Sequence, residues 1–457
     1  MARKMSWPVL GALLAVSGCA EPECLYECVD ETPMVGGDVD IGRDALLNEG
    51  LMTCGVPWAG FEPLAPLFDG PSLPEREGRN AELAYNLTAT TTAEGVELVN
   101  VNCLNCHASV FEGELVMGLG ESWIDDSQPG MMLVDFADPR VDPDTPEQAE
   151  LDRLREIVTL MDQYPTDTIG ENRGDTLLFA FAAHRDPVTF DWLDEPGFTP
   201  PQGAPIPHDV PPWWGMRKKN AMFANTAARG DYSRWVLNGT LMCLDDPETA
   251  RDVFAVAEDV RAFIESVEPP PWPGRIDEDL AEDGQDIFEA TCSRCHGTYG
   301  EDWTYPNLVV PVEEVGTDPL SAESVDAWQT AWDAQFSKTE LAVGVEWAPR
   351  AGYIAPPLDG IWITAPYLHN GSVPTLEAVL DPSLRPAIWR RTGEHDRDAV
   401  GWEYEVLAEG KDSPPDGVDP VEIVDTTLPG YSNEGHPFGE PLSDDERRAV
   451  LEYLKTL

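Results

Sequence analysis

Cys292-Ser-Arg-Cys-His296 decides how this chain is read, because a near copy stands at Cys103-Leu-Asn-Cys-His107. C-x-x-C-H is the pattern of covalent c-type haem attachment. Each cysteine can form a thioether to a haem vinyl group. The adjacent histidine then lies beneath the ring and can bind iron from one side. A single copy also reads as a redox dithiol or half of a zinc site. Two copies take four of the nine cysteines. The expectation is two covalently attached haem c groups, one held by Cys103, Cys106 and His107, the other by Cys292, Cys295 and His296. The competing reading leaves both motifs unused, as cysteine pairs with bystander histidines.

Working outward, 457 residues allow two or three domains. A hydrophobic content of 42% with 15 tryptophans provides for real cores and excludes global disorder. The net charge of −55 repels nucleic acid and anionic lipid. It suits a cationic redox partner, or serves solubility alone. The expected partners are a small redox protein or a small-molecule oxidant, with no nucleic acid.

Residues 1–19 read as an export signal. Arg3 and Lys4 precede a short apolar run, Trp7 to Val16, too short to span a bilayer. Val16-Ser-Gly-Cys19 resembles a bacterial lipoprotein cleavage box, which implies a lipid anchor at Cys19 as the only membrane tie. An ordinary signal peptide is the alternative. Both place the protein outside the cytoplasm, in the periplasm or outer membrane of a Gram-negative bacterium. Residues 20–75 read as an acidic, cysteine-containing tether. Cys24, Cys28, Cys54 and Cys243 remain, and an oxidising compartment allows two disulfides in any of three pairings, or free thiols.

Two haem modules are expected, at 76–268 and 275–457, joined by the proline-rich Glu268–Gly274. Gly95, Val99 and Cys103 repeat the offsets of Gly284, Phe288 and Cys292, so Ala93–Asn102 and Glu282–Thr291 read as equivalent helices. Asp246-Pro247 signals a helix start, and Ser443-x-x-Glu446 is a capping box. The expected fold is mainly α: two cytochrome c-like haem modules packed together, with long loops and little β-structure. Inside the first module lies Pro211-Pro-Trp-Trp-Gly-Met-Arg-Lys-Lys219. Arg217, Lys218 and Lys219 suit haem propionates. Trp213, Trp214 and Phe223 form either a wall of the first haem pocket or the edge of an aromatic core. Met216, Met222 and Met242 are further candidate ligands for the first iron.

Pro366-Tyr-Leu-His-Asn-Gly-Ser-Val-Pro-Thr-Leu376, with the two C-x-x-C-H sites, resembles the dihaem cytochrome c peroxidase/MauG superfamily. Tyr305-Pro-Asn, Gly316-Thr-Asp318, Pro357-Leu-Asp-Gly-Ile-Trp and Asn433-Glu-Gly-His436 are similar to its branch of RoxA-type rubber oxygenases. The resemblance is strongest over 275–457. It implies His107 and His296 as proximal ligands and His436 as the distal ligand of a closed second haem. The first haem would then be the reactive one, near Trp213, Trp214 and Phe223. His369 takes a structural or hydrogen-bonding role. Pro356 departs from the family's basic residue, and the chain is shorter than such oxygenases.

Three functions follow. One is a dihaem oxidoreductase acting on peroxide or dioxygen, with the second haem as electron-transfer centre. Another is a pure electron carrier with two six-coordinate haems. The last is a binding lipoprotein whose motifs are idle.

Overall fold

A computed structural model describes residues 26–457, apart from Asp69 and Glu75. The expected signal segment, Cys19 and Cys24 lie outside the described residues. No helix among the described residues is long and apolar enough to cross a membrane.

The helices follow their local signals. Asp246 caps Pro247–Phe254 by accepting from the backbone of Glu248 and Thr249. The capping box forms at Asp444–Leu454, where Ser443 N–H donates to the Glu446 carboxylate at 2.8 Å. That helix crosses Glu278–Thr291 at very short range. A Cβ at Gly284 would stand 2.0 Å from the Ala449 carbonyl, so only glycine permits the crossing. Phe288, Val450, Leu451 and Leu454 bury their side chains in the resulting core.

The mainly α expectation is corrected. Among the described residues, 38% are helix and 14% strand, in five small sheets. The clearest case lies just before the first attachment site. Glu97–Val101 is a strand, paired antiparallel with Leu87–Thr91 across a turn at Gly95. Its offsets match those before Cys292, yet its residues do not. Val96, Val99 and Val101 are β-branched, and Thr90, Thr91 and Thr92 precede the turn, a composition that suits a pleated surface. Most other strands have two to six residues, too short for alternation to register.

The chain segments also interlock across the expected boundaries. Residues 26–61, read as tether, contribute a strand, Glu27–Cys28, to the sheet of Leu308–Pro311. They also place the helix Val39–Asp44 on Ala257–Ser266, with Asp38 N–H donating to Asp259 at 2.6 Å. Val345–Trp347 pairs with Ala228–Gly230. Trp328, Trp332, Phe336 and Trp347 pack with Trp235 and Phe223, so residues 328–347 complete the core around the first attachment site.

Of the three possible cysteine pairings, Cys54–Cys243 forms. Cys28 is disulfide-bonded as well. The Cys54–Cys243 bond spans 189 residues, so it removes much loop entropy from the unfolded chain. Cys243→Ser is expected to lower stability by about 2–5 kcal/mol. It should appear as a lower denaturant midpoint, with a steeper slope because the unfolded chain expands without the crosslink. A midpoint that does not move contradicts this.

Candidate haem-attachment sites

Each C-x-x-C-H forms one tight helical turn, Leu104–His107 and Ser293–His296. Buried Asn102 anchors the first. Its amide donates to the Tyr85 carbonyl at 3.0 Å and to Thr88 at 2.9 Å, while its oxygen accepts from Leu104 N–H. The second is carried at the end of Glu278–Thr291. All four motif cysteines are free. Burial pushes the thiols of Cys103 and Cys292 up to about 11 and that of Cys106 up to about 12. A redox dithiol needs the opposite, a thiol made acidic by its surroundings. These are neutral thiols in apolar settings, suited to thioether bonds.

A proline carbonyl lies behind each histidine, and one of the two closes a hydrogen bond. His296 Nδ1 lies 2.8 Å from the Pro356 carbonyl oxygen. A carbonyl only accepts, so Nδ1 carries the proton and Nε2 presents its lone pair. Such a second contact is what fixes the tautomer and ring angle of a metal-binding histidine. His107 Nδ1 faces the Pro211 carbonyl without closing a well-formed hydrogen bond. Burial holds the His107 imidazolium down to about 4, so the ring is neutral. Pro211 and Pro356 were missed from sequence. The signal was there: Pro211-Pro-Trp-Trp-Gly215 and Pro356-Pro-Leu-Asp-Gly360 are the same Pro-Pro-x-x-Gly pattern. The two copies touch, since a Cβ at Gly360 would meet Trp214 at 3.1 Å and one at Gly215 would meet Pro357 at 3.5 Å.

His436 faces His296. Their ring centres are 6.2 Å apart. Two metal–imidazole bonds of about 2.0 Å plus two ring radii separate axial ring centres by roughly 6 Å. The spacing therefore fits one iron between them. Burial, the nearby His296 and Arg385 bring the His436 imidazolium down to about 3. Its buried Nδ1 has no hydrogen-bond partner among the described residues. The loop is clamped by Arg385, whose guanidinium donates to the Asn433 and Gly435 carbonyls at 2.5 and 2.8 Å. His436 N–H donates to the Val315 carbonyl at 2.6 Å, and Gly435 packs directly on Gly316.

The first site is built differently. The ring against His107 is Trp213, stacked at 5.2 Å. Cys103 packs against the core that includes Tyr85, Trp213 and Trp235, as do Met216, Met222 and Phe223. Phe223 lies 4.7 Å from Trp328, ring centre to ring centre. Trp214 belongs elsewhere: it is buried with Phe288, Leu358 and Trp362, in the cluster that holds Cys292. Trp213 and Phe223 thus share the first site's surroundings, and Trp214 joins the second's. Met242 packs near the Cys54–Cys243 bond.

The remaining histidines have local roles. His369 stacks on Tyr353 at 4.3 Å and shares a 3.1 Å hydrogen bond with its hydroxyl. His395 sits on the strand Ile388–Asp396, edge-on to Phe111 at 5.2 Å and Trp402 at 6.0 Å. His184 stacks on Trp192 and bonds the Leu193 carbonyl.

Comparison with known proteins meets this geometry. A family model described as RoxA-like, cytochrome c-like matches residues 352–390, the stretch that holds Pro356 and His369. A cytochrome c-like domain implies covalently bound haem c, and so a haem-containing redox protein. The uncharacterized protein y4iJ of Sinorhizobium fredii is 33% identical over 258 residues, 41% of this chain and 41% of its own. The uncharacterized protein y4iM of the same organism is 26% identical over 238 residues, 43% of this chain and 53% of its own. The chain thus spans about half the length of the curated relatives it matches, or less. A hydrazine synthase of Kuenenia stuttgartiensis, solved under xenon, aligns over 76% of this chain and 98% of its own at 16% identity. The TM-score of 0.27 is too low to carry an argument.

Proposed function

We propose that the chain is an exported dihaem c-type cytochrome that acts as an oxidoreductase on peroxide or dioxygen at the first site. The second site serves electron transfer. The observation that carries this reading is the asymmetry between the sites. His296 is opposed by a second imidazole at axial distance, 6.2 Å. His107 has an indole as its ring neighbour, and Cys103 packs against an apolar, aromatic core. Bound haem supplies a redox-active iron whose reactivity depends on axial ligands and burial. The chain's residues do the rest. Pro356 orients His296 through its carbonyl. His436 and Arg385 close one site. Trp213, Phe223 and Trp235 exclude water from the other.

Export is supported by the signal-like leader and by Cys54–Cys243, since disulfides persist in oxidising compartments. A lipid anchor at Cys19 fits the cleavage-box residues. The net charge of −55 favours a cationic electron-transfer partner.

A pure electron carrier is the second reading, favoured by Met216 and Met222 in the first site's cluster, either of which supplies a thioether for a sixth ligand. Electron paramagnetic resonance of the resting protein separates them. The oxidoreductase reading expects one low-spin and one high-spin or ligand-exchangeable haem, with carbon monoxide binding one iron per chain. Two low-spin haems inert to carbon monoxide and peroxide overturn it.

A further inference from the structure

The run Arg217-Lys-Lys219 is a rare basic triplet in a chain with 84 acidic and 29 basic residues. Two of its members already have carboxylate partners. Lys218 donates to both oxygens of Asp359, at 2.8 and 2.7 Å. Arg217 meets Glu268 at 2.7 Å and Asp359 at 3.6 Å. Lys219 differs. Among the described residues its ammonium has no hydrogen bond and no carboxylate within ion-pair distance. Asp209 is the acid whose field it feels, and burial draws the ammonium down to about 8. Asp209 is likewise pushed up to about 7 by burial. A half-buried cation without a bonded anion is costly to keep, and an anionic ligand would complete it.

The position of Lys219 says which anion. Its backbone is fixed: Tyr232 hydroxyl donates to its carbonyl at 2.8 Å, and its N–H donates to Met216 at 3.0 Å. Met216, Met222 and Phe223, on the same segment, pack against the same core as Cys103 of the first site. On the other side, Asn220 N–H donates to Asn307 at 2.6 Å, and Asn307 donates to the Lys218 carbonyl at 3.0 Å. Asn307 lies eleven residues beyond His296. Asp209 lies two residues before Pro211, whose carbonyl faces His107. The segment that carries Lys219 is therefore tied to the chain that follows the second attachment motif, and its neighbour Asp209 to the chain before Pro211. Each haem c carries two propionates, the anions that covalent attachment would bring to this region.

We infer that Lys219 forms an ion pair with a haem propionate, while Lys218 serves only to tie the segment to Asp359. This rests on the dihaem reading. The first and second haems present the same carboxylate chemistry, and the test distinguishes them. Holoprotein carrying Lys219→Met is titrated spectroelectrochemically beside the wild type. Loss of a positive charge near iron disfavours the reduced state, so one midpoint potential is expected to fall. The haem whose potential falls more is the one whose propionate is held. Lys219→Arg should return that midpoint towards the wild-type value. Redox-difference infrared spectra with carbon-13-labelled propionates supply a second readout, independent of the methionine variant's folding. A propionate carboxylate band should shift between wild type and Lys219→Arg. Unmoved potentials, or unshifted propionate bands, overturn the inference. A mass that shows fewer than two haems instead overturns the reading beneath it.

Discussion

His436→Ala is expected to turn the second haem from a low-spin, six-coordinate centre into a high-spin one that binds carbon monoxide. The argument starts from distance. His296 and His436 hold their ring centres 6.2 Å apart, the span of two imidazoles on one iron. No other histidine ring lies against His296 among the described residues to replace the lost one. The cavity left by the imidazole then admits water or a small ligand. Carbon monoxide should bind two irons per chain instead of one. Replacing a strong nitrogen donor by water destabilises the oxidised iron. The second midpoint potential should therefore rise, within the roughly 0.8 V that axial ligation spans. His436→Ala should leave the first haem's spectrum in place. A variant that keeps two low-spin signals, or one whose only change is in the first haem, refutes the assignment of His436.

Cys292→Ser with Cys295→Ser is expected to remove one macrocycle from the mature mass, and Cys103→Ser with Cys106→Ser the other. Protein made in a host competent for cytochrome maturation provides the test. Both members of a pair must go, because one thioether still tethers a haem. The structural consequence should be large. Cys103 packs in the core that contains Trp213, Phe223 and Trp235, and Cys292 in the core that contains Phe288, Trp214 and Trp362. Each macrocycle would be part of its core, so its loss leaves a void lined by large side chains. The cost should be on the order of 5 kcal/mol or more, in the range of severe core lesions. Losing either pair should therefore lower both haem content and melting temperature. A doubly substituted chain of unchanged mass shows that the pair in question carries no haem.

Much of the chemistry was legible without coordinates, for a physical reason. Haem attachment needs its two cysteines and its histidine within one helical turn, so the signal is contiguous. Helix starts are equally local: Asp246-Pro247 and Ser443-x-x-Glu446 act on backbone groups two or three residues away. Strands were not legible. Glu97–Val101 owes its state to pairing with Leu87–Thr91, and its spacing pattern alone suggested a helix. The two-residue strand Glu27–Cys28 exists only because Leu308–Val309 lies beside it.

Sequence alone determined where haem can be bonded and which residues begin the helices at Asp246-Pro247 and Ser443-x-x-Glu446. Tertiary structure decided what those residues face. It set His436 against His296 across 140 positions of chain, and sent Trp213 and Trp214, adjacent in sequence, into different cores. It also separated Lys218, paired with Asp359, from Lys219, which has no such partner among the described residues. Bonded neighbours and helical turns act over a few residues and leave periodic traces. Axial spacing and ion pairing depend on how distant segments return to one place, and a lone histidine or lysine carries no trace of that path.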